Sequence, residues 1–261
     1  MDLPYKGKLT LVTGAGRKGR VGAHIARYFA LQGSDVLLHY RSDADEARAV
    51  KDAIEREAGV EVALAEAELS AVADVRALFA GRVPDIVINN AATFKPTGST
   101  DLTDARAALE HNVAANLTAP FLVAWEATQR MLAERKAGVI VFVGDAFIEN
   151  GGVYPEGLEA YTASKAWIPP VVVQLAAAHG RKGLRFLGIL NGPVEPPPSA
   201  SPHAIEAIAA EINLPPEKLA PWIGGERVAE AIHCLIQASG VNGTTLAVEG
   251  GRAWRAPSEH S

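Results

Sequence analysis

Tyr161-Thr162-Ala163-Ser164-Lys165 sets a phenol and an ammonium four residues apart, which on a helix means one face, one turn apart. A phenol with a pKa of about 10 exchanges protons poorly at neutral pH, and a neighbouring cation stabilises its phenolate and lowers that value. The pair suits general acid/base chemistry, with Tyr161 moving the proton and Lys165 tuning it. Such a spacing also arises by chance. Its weight comes from three companions: a glycine-rich turn after the first apolar run, Asn89-Asn90-Ala91-Ala92 after the fourth, and Asn116 in a long helical segment.

The glycine-rich turn reads Thr13-Gly14-Ala15-Gly16-Arg17-Lys18-Gly19-Arg20-Val21-Gly22 and leads into a helix. Glycine permits positive φ and close backbone approach to a pyrophosphate, while the helix start offers N–H groups to the anion. After the first strand of a βαβ unit this is a dinucleotide-binding pattern, although a turn needing glycine for geometry alone would look the same. Carboxylates that hold the ribose 2′-OH of NAD usually stand at the end of the second strand. Here that strand ends His39-Tyr40-Arg41-Ser42, with no carboxylate before Asp43. Arg41 and Ser42 suit a 2′-phosphate, and Arg17 and Lys18 add positive charge, so NADP(H) is favoured over NAD(H). The plainer reading, a solvated surface cation, applies most readily to Lys18.

The elements that must position these groups alternate along the chain. Short apolar runs at 9–13, 35–40, 60–65, 85–89, 138–143, 185–190 and 244–248 read as seven strands, mostly without polar alternation, as strands covered on both faces should be. Helical patterns fall at 21–32, 43–58, 71–80, 101–136, 161–180 and 226–237. This rhythm predicts an α/β fold, a doubly wound parallel sheet. Prolines at 193, 196, 197, 198, 202, 215, 216 and 221 break it, and 193–222 is expected to be a loop-and-short-helix excursion over the carboxyl edge of the sheet, where ligands bind in such folds.

Composition bounds the rest. The 261 residues fit one domain spanning 1–261, and 48% apolar with 21% charged residues argues against disorder. With 25 basic and 30 acidic residues spread along the chain, nucleic acid is not an expected partner. Cys234 is the only cysteine, so no intrachain disulfide or cysteine-based metal site is expected. Neither a signal-peptide run nor a bilayer-spanning stretch is evident, and a cytoplasmic protein acting on a small molecule is expected.

In their order, the glycine turn, NNAA, Asn116, YxxxK and Val248-Glu249-Gly250-Gly251 resemble the short-chain dehydrogenase/reductase family over essentially the whole length. The resemblance implies a single-domain Rossmann-type sheet of about seven strands. It implies Tyr161 as general acid/base, Lys165 as its tuner and a ligand of the nicotinamide ribose, and Asn116 as the holder of a relay water. It further implies a cofactor cleft lined by Gly14, Arg17, Gly19, Arg20, Val21, Tyr40, Arg41, Ser42, Glu68, Leu69, Asn90, Ala91, Ala92, Tyr161, Lys165, Pro193 and Val194. A homotetramer or dimer is expected by the same resemblance, with the helices at 116–136 and 161–180 as interfaces.

The chain also departs from that family. Gly19 and Gly22 are displaced from their usual spacing to Gly14, Glu68 stands where an aspartate is common, and Pro169-Pro170 should kink the helix after Lys165. Most importantly, Asp145 takes the place of a catalytic serine at the end of the fifth strand. A serine hydroxyl can donate at any physiological pH, whereas an aspartate donates only when protonated. Asp145, Tyr161 and Lys165, together with His39-Tyr40-Arg41-Ser42, Phe94 in Asn89–Thr97 and Arg20 before Val21-Gly22, are similar to the pteridine reductase branch. That likeness implies a pterin-like or other C=N substrate held by Arg20, Phe94, Asp145 and Tyr161. Sixteen positions separate Asp145 from Tyr161, a few more than is usual, and the surplus lies in 149–159. A carbonyl reductase and a catalytically silent NADP(H)-binding regulator are the alternatives. Trp125 and Trp167 read as packing residues, Cys234 as a small buried one, and His24, His111, His179 and His233 as structural or exposed.

Overall fold

The computed structural model describes residues 3–97, 101–149, 157–192, 194 and 223–249. Seven parallel strands form one sheet: β1 (Leu9–Val12), β2 (Asp35–Tyr40), β3 (Val62–Glu66), β4 (Ile86–Asn89), β5 (Gly138–Asp145), β6 (Leu184–Asn191) and β7 (Thr244–Val248). Their spatial order is β3-β2-β1-β4-β5-β6-β7. The chain winds outward from β1 to β3, then crosses back to start β4 on the other side of β1. Such a reversal opens a crevice at the carboxyl ends of β1 and β4.

Successive strand residues point to opposite faces, and both faces are covered, which is why the runs lack polar alternation. Val12, Leu38, Ile88 and Val141 pack with Ile25 and Phe29 of α1 (Val21–Leu31), with α2 (Ala44–Ala58), and with Ile232 of the helix Gly225–Gln237. Leu11, Val87, Ile140 and Phe142 pack on the other side with α3 (Val72–Leu78), with Val123 and Met131 of a helix over Ala119–Ala133, and with Val172 of one over Ile168–His179.

Two helical segments differ from expectation. The stretch predicted over 101–136 is α4 (Leu102–Val113), a π-helical turn (Ala114–Thr118) and α5 (Ala119–Ala133). Pro120 has no N–H to give the carbonyl of Asn116, four residues back, so a regular ladder cannot run through this point. After the short α6 (Ala146–Glu149), the stretch predicted over 161–180 divides into α7 (Glu159–Lys165) and α8 (Ile168–His179). Pro169 and Pro170 stand in the first turn of α8, where backbone N–H groups have no helical acceptor. The prolines start a new helix there rather than kinking a continuous one.

Two side chains also differ. Cys234 is exposed, because α9 (Gly225–Gln237) turns Val228, Ala229, Ile232 and Ile236 inward and Cys234 falls on the other face. Trp125 is half-exposed and stacks on exposed Phe121, with ring centroids 6.1 Å apart, rather than packing in the core. Trp167 does pack, edge-on to Phe142.

Candidate active site

Asp145 ends β5, in register with Asn191 of β6. The Tyr161 hydroxyl, carried by α7, donates to Asp145 Oδ2 at 2.8 Å. One turn on, Lys165 is buried, and its Nζ donates to the carbonyl of Val143 at 3.2 Å. Burial pushes the Lys165 ammonium down to about 8, against the opposing pull of Asp145. Asp145, Ile148, Lys165, Ala166, Pro169 and Leu190 line a cleft of about 180 Å³. Half-exposed Phe94 meets Tyr161 edge-on, with ring centroids 4.7 Å apart.

Asn116 is buried behind these groups. Its Oδ1 accepts from Thr93 N at 2.8 Å, and its Nδ2 donates to Thr93 O and to Ser164 Oγ, each at 2.9 Å. One amide therefore ties the segment carrying Phe94 to the helix carrying Tyr161. The Asn116 carbonyl accepts from Trp167 Nε1 at 2.9 Å, which occupies one of its two lone pairs. Sequence reasoning missed Thr93, Ser164 and the indole's polar role. Pro120 was the available signal that this carbonyl needed another donor.

At the crevice, Gly14 has φ +65°, and a Cβ there would lie 2.8 Å from Ala91 Cα. A Cβ on Gly22 would lie 2.4 Å from the Gly14 carbonyl. Asn90 Nδ2 donates to the carbonyls of Thr13 and Gly14, while Thr13 Oγ1 accepts from the N–H groups of Asn90 and Ala91. The turn and the NNAA segment are thus held flush. Val21 opens α1, whose N-cap Arg20 makes no side-chain cap and whose first turn carries no acidic residue. Glycine backbone pressed against the NNAA segment, beside an uncapped helix start, fits a dinucleotide pyrophosphate.

Around this cradle Gly19 has φ +70°, and Arg17, Lys18 and Arg20 are exposed. Tyr40 donates to Glu66, Ser42 is exposed, and Arg41 lies 3.8 Å from Glu68. Leu69 is buried beside exposed Glu68, and Ala92 is exposed. Val194 bridges Ile223, whereas Pro193, Glu195, Trp222 and Trp254 lie outside the described residues, as do most of 149–159 and 193–222.

A parallel sheet in this order, with a glycine turn at its crevice and a Tyr-Lys pair beside it, defines a dinucleotide-dependent oxidoreductase class. The family described as enoyl-(acyl carrier protein) reductase matches residues 14–253. The 3beta-hydroxysteroid dehydrogenase 1 of Eggerthella lenta is 33% identical, with 94% of each chain covered. The 7alpha-hydroxysteroid dehydrogenase of Escherichia coli K12 is 32% identical over 74% of this chain and 73% of its own. A solved structure from Agrobacterium tumefaciens with NADP bound, assigned as a 2-deoxy-d-gluconate 3-dehydrogenase, superimposes with a TM-score of 0.79 at 25% identity, covering 97% of this chain and 98% of that one. The chain belongs to the short-chain dehydrogenase/reductase family.

Proposed function

We propose that this chain is an NADP(H)-dependent oxidoreductase of one domain that interconverts a carbonyl and an alcohol, with Tyr161 as the general acid/base. The observation that carries the reading is the Tyr161 hydroxyl beside the cleft, held by Asp145 at 2.8 Å, with Lys165 buried one turn along the same helix. When bound, the reduced nicotinamide supplies a hydride to the carbonyl carbon. Tyr161 gives its proton to the oxygen that becomes the alcohol, and the Lys165 ammonium stabilises the phenolate left behind. Asp145 aims the phenol until a substrate oxygen displaces it. Phe94 packs edge-on against Tyr161, and Asn116 holds Phe94 and Tyr161 in register through Thr93 and Ser164.

Support for a hydroxyl or keto substrate comes from the relatives, two of which are named as hydroxysteroid dehydrogenases. The pterin-like reading rests on Asp145, Phe94 and Arg20 alone and takes second place. Arg41 and Ser42 support NADP(H), and Arg41 would exchange Glu68 for the 2′-phosphate. A homotetramer or dimer remains the proposed assembly, with the half-exposed Phe121–Trp125 stack on α5 as the apolar surface available to it. No helix among the described residues is long and apolar enough to cross a membrane.

The test is turnover of the purified chain with NADPH and with NADH against ketosteroids, simple ketones and dihydropteridines. Ketone reduction, faster with NADPH, is expected. Reduction of dihydropteridines alone would overturn the carbonyl reading in favour of the heterocycle, and faster turnover with NADH would overturn the cofactor preference.

A further inference from the structure

His39 is a buried histidine that the proton chemistry at Tyr161 does not use. It sits on β2 and is only 2% exposed, yet both ring nitrogens are engaged by backbone. Nδ1 lies 3.0 Å from the N–H of Gly14, and Nε2 lies 3.1 Å from the carbonyl of Ala67. These partners fix the tautomer, because an N–H can only be accepted and a carbonyl can only be donated to. The ring is neutral, with its proton on Nε2 and its lone pair on Nδ1.

The two partners belong to two different connections at the carboxyl edge of the sheet, one after β1 and one after β3. Gly14 is a positive-φ glycine of the turn, and Ala67 opens the β3–α3 connection that carries Glu68 and Leu69. Backbone bonds reinforce the strut: the His39 carbonyl accepts from Ala15 N, and Ala67 N donates to the Tyr40 carbonyl. We propose that His39 is a positioning residue for the dinucleotide, acting as a neutral strut that holds the glycine turn at a set distance from the adenine side. Protonating Nδ1 would turn a donor toward the Gly14 N–H and push the turn out of place. Cofactor affinity is therefore coupled to the charge of a residue whose two ring nitrogens are both engaged by backbone.

Burial holds the imidazole below its usual value of about 6.5, in the direction this geometry requires. The charged groups acting on the ring are Glu68 from the β3–α3 connection, which favours the proton, and Arg41 at the end of its own strand, which opposes it. Its neighbour across β3 is Ala65, and the turn offers it Gly14 backbone.

The inference rests on the dinucleotide-binding reading, and the experiment separates the two. NADPH binding is followed by fluorescence titration between pH 8 and pH 5 for the native chain, His39→Asn and His39→Leu. Asparagine keeps an acceptor near the Nδ1 position and cannot take up a proton; leucine keeps neither bond. The native dissociation constant is expected to rise at least twofold more than that of His39→Asn toward the acid end of this range. The comparison cancels protonation of the 2′-phosphate, which titrates at about pH 6 in both proteins. At pH 8, His39→Leu should bind at least tenfold more weakly while kcat at saturating cofactor stays within about threefold. Nitrogen NMR of the native chain should report the Nε2–H tautomer, with an imidazole midpoint that moves lower when NADPH binds. An Nδ1–H tautomer, a midpoint unmoved by NADPH, or parallel pH profiles for the native chain and His39→Asn would overturn the strut. Failure to bind NADPH or NADH at any pH would instead overturn the dinucleotide reading itself.

Discussion

Tyr161 and Asp145 share one hydrogen bond of 2.8 Å beside the cleft, donated by the phenol to the carboxylate. An anion at that distance opposes formation of the phenolate. Asp145→Ser removes it and leaves a neutral donor. Ketone reduction by Asp145→Ser should match or exceed that of the native chain, and the rising limb of alcohol oxidation should move to lower pH. Tyr161→Phe should lose about 100-fold or more in kcat with NADPH affinity retained. Initial-rate pH profiles in both directions check these outcomes.

Lys165 trades stability for chemistry. Its folded value of about 8 lies below the 10.5 of a free lysine, so the unfolded chain binds more protons between those limits. Stability contributed at this position therefore rises with pH across that window, and below about pH 8 the buried ammonium carries its full cost. Lys165→Met should abolish turnover yet stabilise the cofactor-free protein at pH 7 by on the order of 2 kcal/mol. The gain should shrink as the pH is raised from 8 toward 10.5, as read by urea unfolding at each pH.

Gly22 admits no side chain. A Cβ would meet the Gly14 carbonyl at 2.4 Å and Asn90 Nδ2 at 2.6 Å. Gly22→Ala should cost about 2 kcal/mol and weaken NADPH binding at least tenfold, because the turn must separate from Asn90. Thermal unfolding with and without NADPH distinguishes the two losses.

Asn116 makes all three side-chain bonds of its network to Thr93 and Ser164. Asn116→Leu strands those groups in the interior, and a loss of about 3 kcal/mol is expected. Because Phe94 and Tyr161 lose their common tie, the KM for the carbonyl substrate should also rise. Denaturant unfolding and steady-state kinetics check the two effects.

The seven strands were legible because both sheet faces are covered, which leaves apolar runs such as Val139–Val143 with no competing pattern. The Tyr161–Lys165 pair was legible because a helix converts sequence spacing directly into proximity. Asp145 was grouped with Tyr161 and Lys165 only through the family resemblance, and their direct hydrogen bond was not legible, because it depends on where α7 returns to the end of β5. His39 reads as one more residue of a buried strand, and only the parallel register of β1, β2 and β3 brings its ring between Gly14 and Ala67. The π-turn escaped because Ala114–Thr118 itself holds neither glycine nor proline, and Pro120, the residue that interrupts the ladder, lies just beyond it. Trp125 fell on the outward face of α5, whose phase the π-turn obscured, and Cys234 fell on the outward face of α9, away from Val228, Ala229, Ile232 and Ile236.

The π-turn gives this chain an uneven tolerance to changes in length. Each residue of an α-helix advances it by about 100°, so a turn that holds one residue more than its neighbours sets the two flanking helices in different rotational phase. Deleting one residue from Ala114–Thr118 would let the helix close up and swing either Asn116 or the Val123–Ala127–Met131 stripe out of place. Loss of a residue from a surface connection leaves both untouched. The placement of Asn116 thus depends on a surplus residue as well as on the bonds around it.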